Sequence, residues 1–351
     1  MKSFMAALAV LILCAACGVK FRESEVIVGC VGSTLDIVQF ASSSPFPPHG
    51  RVIRLCEDGS KTQVLSGREF ESPRAVGTLP NGNRVVISGG WDSDNQRVSL
   101  ISPNGAIRKS IQVRYCPAGL IVLPSGKILI SHGNYGAYVL HCESSDGEMT
   151  VYNADLLKER SFRILPRAVN HFMVGNHGDI LAYATQNGAL YDISGDLKRV
   201  RKLNHVGGVN GIAIRGKKLV VASGVQNLLG VRRGKILVFN DYEHQVEPSQ
   251  SFGGLILPYA VEFASDHDVY FSDDQFVIAM DLRSGAKKVV LGPIDGPRQI
   301  VLTSSAIIIA NRYANGLGHG EVDRYDRKTR HFDKRLLADV NLLESLRELR
   351  K

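Results

Sequence analysis

A short sequence pattern that recurs along the chain decides the fold. Its clearest copy, at residues 116–131, reads CPAGLIVLPSGKILIS. Residues 72–88 repeat the same shape as SPRAVGTLPNGNRVVIS. In both copies an apolar segment reaches a turn that contains Gly, and a second segment rich in Val or Ile follows. This pattern predicts two antiparallel strands joined by a tight turn.

Further copies of the hairpin lie at residues 209–223, 259–273 and 298–311. Aligning the turns gives a set of equivalent positions near the start of each first strand: Arg74, Ala118, Asn170, Asn210, Tyr259 and Arg298. The steps between these positions are 44, 52, 40, 49 and 39 residues. A period near 45 residues that contains four short strands is typical of one blade of a β-propeller.

The chain has 351 residues, of which 44% are hydrophobic and 22% are charged, so it can bury a large core. One blade has apolar residues on both faces, and only neighbouring blades in a closed ring can cover them. Six copies are clear from about residue 73 to residue 337, and residues 24–72 look like a seventh with a degraded first strand. The sequence therefore predicts an all-β propeller of seven four-stranded blades, with six blades as the alternative.

The recurring phrase, Pro-x-Gly-hydrophobic followed by Gly-Lys-hydrophobic, resembles NHL-type propellers and, more loosely, the gluconolactonase and senescence-marker-protein family. The resemblance covers nearly the whole mature chain in pattern. It implies, for the lactonase family, a divalent ion at the channel mouth, and Asn210-Gly211 matches that family's Asn-Gly element. The single Trp91-Asp92 pair does not recur, so the chain lacks the repeated motif of WD40 proteins.

Residues 1–16 predict a signal peptide, because one lysine is followed by an apolar run of about 13 residues, shorter than the roughly 20 that span a bilayer. The segment Leu13–Gly18 resembles the bacterial lipoprotein processing site. This resemblance implies a lipid on Cys17, a tether at residues 17–23 and a place in the cell envelope, at the periplasm or outer membrane. The alternative is cleavage after Ala16 and a secreted protein.

The propeller is predicted to span residues 24–340, and residues 341–351 to form a short C-terminal helix. Apolar residues recur every three positions in this region, as an amphipathic helix would have them: Val340, Leu343, Leu346 and Leu349. We expect the helix to pack on the outside of the propeller. A helix that docks a partner is the alternative.

Four cysteines remain after processing: Cys30, Cys56, Cys116 and Cys142. An even number is compatible with two disulfides in an oxidising compartment. Each sequential pair is separated by 26 residues, which favours Cys30–Cys56 and Cys116–Cys142 among the three possible pairings. Four free, buried thiols are the alternative.

The predicted functional surface is the one where first strands begin and second strands end. We call it the long-loop face, because the segments after the second strands are long there: 89–96, 132–146, 224–233 and 312–320. Two columns of residues should meet on it. The inner column is Arg74, Asn170, Asn210, Tyr259 and Arg298, and the second column is Gly89, His132, Ser223, Asp273 and Asn311.

Two converging guanidinium groups favour an anionic or hydroxyl-rich ligand, because arginine presents a planar fork that matches carboxylate or phosphate. The ligand-binding set is therefore predicted from both columns: Arg74, Asn170, Asn210, Tyr259, Arg298, His132, Asp273 and Asn311. The partner is a small anionic ligand, a glycan or an envelope protein, with no cofactor. Alternatively, the arginines pair with acids such as Asp92 or Asp273 and only close the channel.

The competing hypothesis is a lactonase-like hydrolase that holds calcium or another divalent ion with Asn170, Asn210, Glu262 and Asp273. Hard cations prefer several oxygen ligands, usually including charged ones, and the nearby arginines oppose this. The net charge of +8 is spread over hairpins that also contain acids, which predicts solvated outer strands rather than a nucleic-acid site. We expect a monomer that touches membranes only through its anchor.

Overall fold

The computed structural model describes residues 34–39, 50–60, 62–66, 68–70, 73–89, 96–113, 116–133, 147–163, 165, 169, 171–175, 177–183, 189–204, 206–226, 232–311, 320–340 and 343–349. These residues form seven four-stranded antiparallel sheets, which confirms the predicted seven-bladed propeller. The described part of the chain contains no helix with the length and apolar character needed to cross a bilayer.

The strands follow one another in chain order and, apart from one sheet, four consecutive strands form each blade. The first three are β1 (Thr34–Gln39), β2 (Arg51–Cys56) and β3 (Thr62–Ser66), followed by a 3₁₀ turn at Arg68–Phe70. Blade 1 is β4 (Pro73–Thr78), β5 (Arg84–Ser88), β6 (Arg97–Ile101) and β7 (Ile107–Gln112). Blade 2 is β8 (Pro117–Val122), β9 (Ile128–His132), β10 (Glu148–Tyr152) and β11 (Lys158–Arg163). Blade 3 is β12 (His171–Val174), β13 (Ile180–Tyr183), β14 (Leu190–Ile193) and β15 (Val200–Leu203).

The remaining strands complete the ring. Blade 4 is β16 (Val209–Arg215), β17 (Lys218–Gln226), β18 (Arg232–Phe239) and β19 (Gln250–Leu255). Blade 5 is β20 (Pro258–Phe263), β21 (Asp268–Asp273), β22 (Phe276–Asp281) and β23 (Lys287–Leu291). Blade 6 is β24 (Pro297–Leu302), β25 (Ala306–Asn311), β26 (Gly320–Asp326) and β27 (Phe332–Val340), and the last strand is β28 (Leu343–Leu349). The first strand of each blade lies innermost, and β16, β20 and β24 contact one another in turn around the channel.

The ring is closed by a sheet that joins the two ends of the chain, in the order β28-β1-β2-β3. We call this sheet the closing blade. β28 pairs antiparallel with β1, with Leu346 opposite Ile37, and it contacts β24 on one side and β4 on the other. The innermost strand of the closing blade therefore comes from the C-terminus, which explains why residues 24–72 lack a recognisable first strand.

The predicted C-terminal helix at residues 341–351 is wrong, because residues 343–349 form the strand β28. Spacing by three residues is compatible with a helical stripe, but the exposed edge of β1 offers unpaired backbone groups that a seventh inner strand satisfies. The propeller accordingly extends to Leu349 rather than ending at residue 340.

The core lies between blades, as the period-two pattern of the strands requires. The described buried apolar residues form seven clusters, each shared by two neighbouring blades. In β17, Leu219 and Val221 pack toward blade 3, whereas Val220 and Ala222 pack toward blade 5. Because successive side chains of a strand point to opposite faces, one strand supplies two interfaces.

Polar contacts fix the closing blade on both sides. The carboxylate of Glu57, which is 4% exposed, accepts hydrogen bonds from Thr303 Oγ1 at 2.5 Å and Ser305 Oγ at 2.8 Å, both in blade 6. On the other side, Arg54 donates to Thr78 Oγ1 of blade 1 at 3.1 Å. A buried carboxylate is stable only when it has such donors. These contacts therefore fix one position of the closing blade relative to blades 6 and 1.

The disulfide pairing stays a prediction, because Cys30 and Cys142 lie outside the described residues. Cys56 is fully buried at the end of β2, opposite Thr34. Cys116 precedes β8, and its carbonyl accepts a hydrogen bond from the Gly133 amide at 3.0 Å. The signal peptide, the tether and Cys17 also fall outside the described residues.

Removing residues 343–351 should destabilise the propeller strongly, because β1 would lose one of its two partner strands and the channel would lose one of its seven inner strands. We expect the urea midpoint to fall, and a synthetic peptide of residues 341–351 to restore stability by about 2.7 kcal/mol at a hundred times its dissociation constant. Circular dichroism with a scrambled peptide as control measures both effects. A truncated chain that unfolds at the same urea concentration as the full chain would show that β28 does not close the ring.

Candidate functional site

The inner column is built by a β-bulge that recurs at the start of the inner strands. In blade 1, Pro73 pairs with Ser88 and Ala75 pairs with Ile87, so Arg74 is skipped in the ladder. The same skip occurs at the equivalent positions of blades 2, 4 and 6: Ala118, Asn210 and Arg298. In blade 5 the register shifts between Pro258 and Val261, so the bulge includes Tyr259 or its neighbour Ala260. The predicted equivalence is confirmed for these residues, and Asn170 lies outside the described ones. Bulges are known to re-aim side chains next to binding sites.

The closing blade adds a member that the sequence analysis missed. In the pairing of β28 with β1, Leu343 lies opposite Gln39 and Ser345 lies opposite Val38, so Glu344 is the skipped residue. Its backbone position matches those of Arg74 and Arg298 in the two adjoining blades. The signal was hidden because the tail was interpreted as a helix, so no carboxylate was expected at this level of the channel.

Neighbouring members of the inner column contact one another. The guanidinium carbon of Arg298 lies 3.6 Å from the centre of the Tyr259 ring, which is a cation–π contact between blades 6 and 5. Both side chains are partly exposed. The cation–π interaction with the Tyr259 side chain contributes roughly 1 kcal/mol and limits the orientations of the guanidinium. The arginine is therefore preorganised at the mouth of the channel.

Asn210 and Gly211 hold blades 4 and 5 together. The Asn210 amide donates to the Pro258 carbonyl at 2.9 Å and more weakly to the Gly224 carbonyl at 3.4 Å. A Cβ atom on residue 211 would lie 2.1 Å from the Tyr259 carbonyl oxygen, so only glycine fits there. Packing between blades thus explains the Asn-Gly element that resembles the lactonase motif.

The second column is a set of buried polar side chains. The residue that pairs with the one before each bulge is Ser88, His132, Ser223, Asp273 or Asn311, and each is at most 6% exposed. The register therefore gives Ser88, not Gly89, as the member from blade 1. Sequence reasoning placed Gly89 one residue too far along, because it aligned turns rather than paired strands.

Several second-column residues fasten the segment that leads into the inner strand of their own blade. Asp273 accepts backbone N–H groups from Leu257 at 2.6 Å and Ile256 at 3.1 Å. Ser88 Oγ donates to the Glu69 carbonyl at 2.8 Å, and Ser223 Oγ donates to the carbonyl of Gly207. These contacts satisfy backbone groups in connections that have no ladder partner, so they stabilise the start of the bulged strands.

His132 lies inside blade 2 and is 3% exposed. Its Nε2 is 3.0 Å from Thr150 Oγ1, and Thr150 Oγ1 is 2.9 Å from Ser161 Oγ, so three strands share a polar chain. This histidine therefore helps to hold three strands of its blade together. It does not present a ring nitrogen to the surface of the long-loop face.

Asn311 belongs to a network of charged groups in blade 6. Its amide donates to Asp323 Oδ2 at 2.9 Å, while Arg335 Nε donates to Asp323 Oδ1 at 3.3 Å and Arg335 Nη1 lies 2.6 Å from Glu321 Oε1. Both carboxylates are buried, whereas the Arg335 side chain is 46% exposed. Burial raises the pKa of Asp323, and the hydrogen bond from Arg335 partly offsets that rise.

The described members of the predicted metal set do not fit a hard cation. Asp273 uses both carboxylate oxygens on backbone N–H groups, and the Asn210 amide nitrogen faces carbonyl oxygens. Glu262 lies three residues beyond Tyr259, about 10 Å farther along the strand. Arg298 stands in the adjoining blade and would repel a divalent ion.

A different group of possible ligand atoms lies on the opposite face, in the connection between β18 and β19. Asp241, Glu243 and His244 place one ligand atom each within 4.8 Å of one another. His244 Nδ1 is 3.0 Å from both Asp241 carboxylate oxygens, and the side chain is 72% exposed. These contacts are those of an exposed turn, and they are remote from the inner column.

Comparisons with known proteins agree with the propeller. A candidate 6-phosphogluconolactonase from Bacteroides fragilis NCTC 9343 is 13% identical, with a TM-score of 0.62 over 91% of this chain and 98% of that chain. A protein from Lactobacillus plantarum is 10% identical, with a TM-score of 0.62 over 91% and 100%. The WD40 domain of Neurospora crassa Pan2 is 10% identical, with a TM-score of 0.56 over 79% and 86%.

No protein-family model matches the chain, and no curated protein matches it. At 10–13% identity, the likeness to solved structures shows the fold alone. The neighbours include both lactonase-like and WD40 propellers, so a propeller module is supported without a choice between catalysis and binding.

Replacing Arg335 by Gln should lower stability in a pH-dependent way. A raised pKa means that the folded state binds its proton more tightly than the unfolded state, so stability declines as pH rises through the pKa of Asp323. Without Arg335 that pKa rises further, and we expect a loss of about 1–2 kcal/mol at pH 7, discounted for the exposure of Arg335. The loss should shrink as pH is lowered and Asp323 is protonated.

Urea unfolding at pH 7 and at pH 4 measures this dependence. Arg283→Gln is the matched control, because Arg283 forms an exposed pair with Asp281 on the opposite face and should change stability by less than about 0.5 kcal/mol. An equal loss for Arg335→Gln at both pH values would contradict the assigned role.

Proposed function

We propose that this propeller is a binding module that holds a small anionic or hydroxyl-rich ligand at the mouth of its channel, on the long-loop face. The observation that carries the proposal is the Arg298 guanidinium stacked on the Tyr259 ring, with Arg74 and Asn210 at matching bulges. Guanidinium groups supply paired donors to carboxylate or phosphate, and a phenol ring supplies an apolar surface and a hydroxyl.

The division of roles between the columns supports this proposal. Arg74, Asn210, Tyr259 and Arg298 are partly exposed, whereas the second-column residues are buried. Asp273 was one of the acids considered as partners of the arginines, and its oxygens accept the Ile256 and Leu257 amides; the other, Asp92, lies outside the described residues. We therefore assign ligand contact to the inner column and support of the frame to His132, Asp273 and Asn311.

We further propose that the module acts in the cell envelope, anchored by a lipid on Cys17. A glycan or an envelope protein that presents anionic groups would use the same surface. The resemblance of the N-terminus to lipoprotein signals supports this location.

The arginine pair can be tested with 6-phosphogluconate, a probe that carries a phosphate, a carboxylate and hydroxyl groups. We expect the full chain to bind it with one site, and Arg74→Gln/Arg298→Gln to weaken binding about tenfold or more, since each charge-assisted contact contributes on the order of 1.5–3 kcal/mol. Isothermal titration calorimetry at low ionic strength gives both constants.

Arg283→Gln again serves as the control, because it removes a cation from the opposite face and should change affinity less than twofold. Equal affinity of the wild type and the double variant for 6-phosphogluconate would show that the two arginines do not contact the ligand.

A second candidate is a divalent-metal-dependent lactonase-like hydrolase, and one observation favours it. Glu344 occupies the bulged position of the closing blade, so one acid lies on the inner column after all. It has cationic positions in both adjoining blades, Arg74 and Arg298. These two arginines would repel a divalent ion, so the binding module is preferred.

Calcium separates the two candidates, because an ion that binds only the folded state must raise the melting temperature by mass action. Under the binding proposal we expect the same melting temperature with calcium and with EDTA. A rise with calcium that Glu344→Gln abolishes and Glu348→Gln preserves would favour the hydrolase. Glu348 is the matched control, since it lies on the same strand and is paired in the ladder opposite Leu35.

A further inference from the structure

A second cavity on the long-loop face lies away from the channel, between blades 3 and 4. The hairpin of β17 and β18 is longer than its neighbours: its pairs continue through Gly224 with Gly234 and Val225 with Arg233, whereas β16 pairs with β17 no farther than Ser223. The extended arm stands above the disc. It forms one wall of a cavity of about 520 Å³, and β15 with its outgoing connection forms the other.

The cavity has an apolar floor and a cationic rim. Leu203 and Val206 are buried beneath it, and Val225 exposes 55% of its surface on the arm. Lys202, Arg233 and Lys235 also line it, and none of the described lining residues is acidic. Cations grouped around one concave surface raise the local concentration of anions.

Two of these cations are not used by the fold. Within the described part of the chain, Lys202 and Arg233 form no salt bridge and no side-chain hydrogen bond, and both side chains are exposed. By contrast, Arg201 beside Lys202 pairs with Asp192 at 2.6 Å. Unpaired cations on both walls of one cavity are the arrangement that an anion from solution can bridge.

The space in the cavity is kept open by a glycine. A Cβ atom on Gly207 would have no heavy atom within 4 Å, and its φ lies outside the left-handed region, so a side chain could enter the cavity without straining the backbone. The walls are held firmly, since Ser223 bonds the Gly207 carbonyl and the Gly224 amide bonds the Gly208 carbonyl at 2.9 Å. The cavity is therefore preformed, as small-molecule sites usually are.

We propose that this cavity is a binding site for a small amphiphilic organic anion, whose apolar body lies against Leu203, Val206 and Val225 and whose carboxylate, phosphate or sulfonate group lies between Lys202 and Arg233. The site is independent of the inner column. Its ligand needs both parts, because Val225 contributes through burial of its exposed apolar surface and the rim through charge-assisted contacts.

Two fluorescent probes that share one aromatic body separate these contributions. The probe 8-anilinonaphthalene-1-sulfonate carries a sulfonate, and N-phenyl-1-naphthylamine is the same body without it. We expect Lys202→Gln/Arg233→Gln to weaken the sulfonate probe on the order of tenfold and the neutral probe less than twofold. Gly207→Phe should weaken both probes more than tenfold, because it fills the cavity.

Matched controls keep the test specific to this cavity. Gly253→Phe adds the same side chain at another open glycine, on β19, and should leave both affinities unchanged. Arg283→Gln removes a cation from the opposite face and should likewise leave the affinity for the sulfonate probe unchanged. Titrations with the full chain overturn the proposal if the double variant at 202 and 233 binds the sulfonate probe as tightly as wild type, or if Gly207→Phe binds both probes normally.

Discussion

The antiparallel pairing of β28 with β1 is the interaction on which the rest of the structure depends. It brings residues more than 300 positions apart into one sheet. The other six sheets each consist of four consecutive strands, and this pairing closes them into a ring. Each blade has apolar residues on both faces, so an open ring would expose two such faces and two strand edges. The buried Glu57 and its hydroxyl donors in blade 6 act at the same seam, and they fix the angle at which the last blade fits.

Closure also makes a site out of residues that share no local sequence. In every blade except blade 3, whose corresponding residue lies outside the described ones, the inner strand carries one extra residue near its start, and the ladder accommodates it as a bulge. A bulge leaves the backbone of that residue unpaired and changes the direction of its side chain, so these positions can vary in chemistry without loss of sheet pairing. Buried partners such as Asp273 and Ser88 supply the missing hydrogen bonds next to the bulge. Variation at the rim therefore occurs next to buried contacts that fasten the start of the inner strand in blades 1, 4 and 5.

The sequence predicts the features that follow from the repeat period, such as the number of blades. It does not predict the features that depend on which distant strands pair with one another. The hairpin copies gave the blade count and the equivalence of Arg74, Asn210 and Arg298, since turn residues and strand alternation are local signals. The strand β28 was missed because a spacing of three fits a helix, and only a vacant edge on β1 makes a strand preferable. The burial of His132 was missed for the same reason, because burial follows from neighbouring strands. The cavity between blades 3 and 4 combines Lys202 with Arg233, which only the ring brings together.

Among the described residues of the long-loop face, Lys202 and Arg233 form no salt bridge, whereas several acids make contacts within the blades. Asp273 accepts two backbone amides, and Asp323 and Glu321 share Arg335. In contrast, Lys202 and Arg233 line a cavity, and Arg298 stacks on the Tyr259 ring. Cations grouped around one cavity raise the local concentration of anions there. Whether the channel mouth can also hold a metal depends on Glu344, the acid at the bulged position of the closing blade, because Arg74 and Arg298 at the same level of the adjoining blades repel cations.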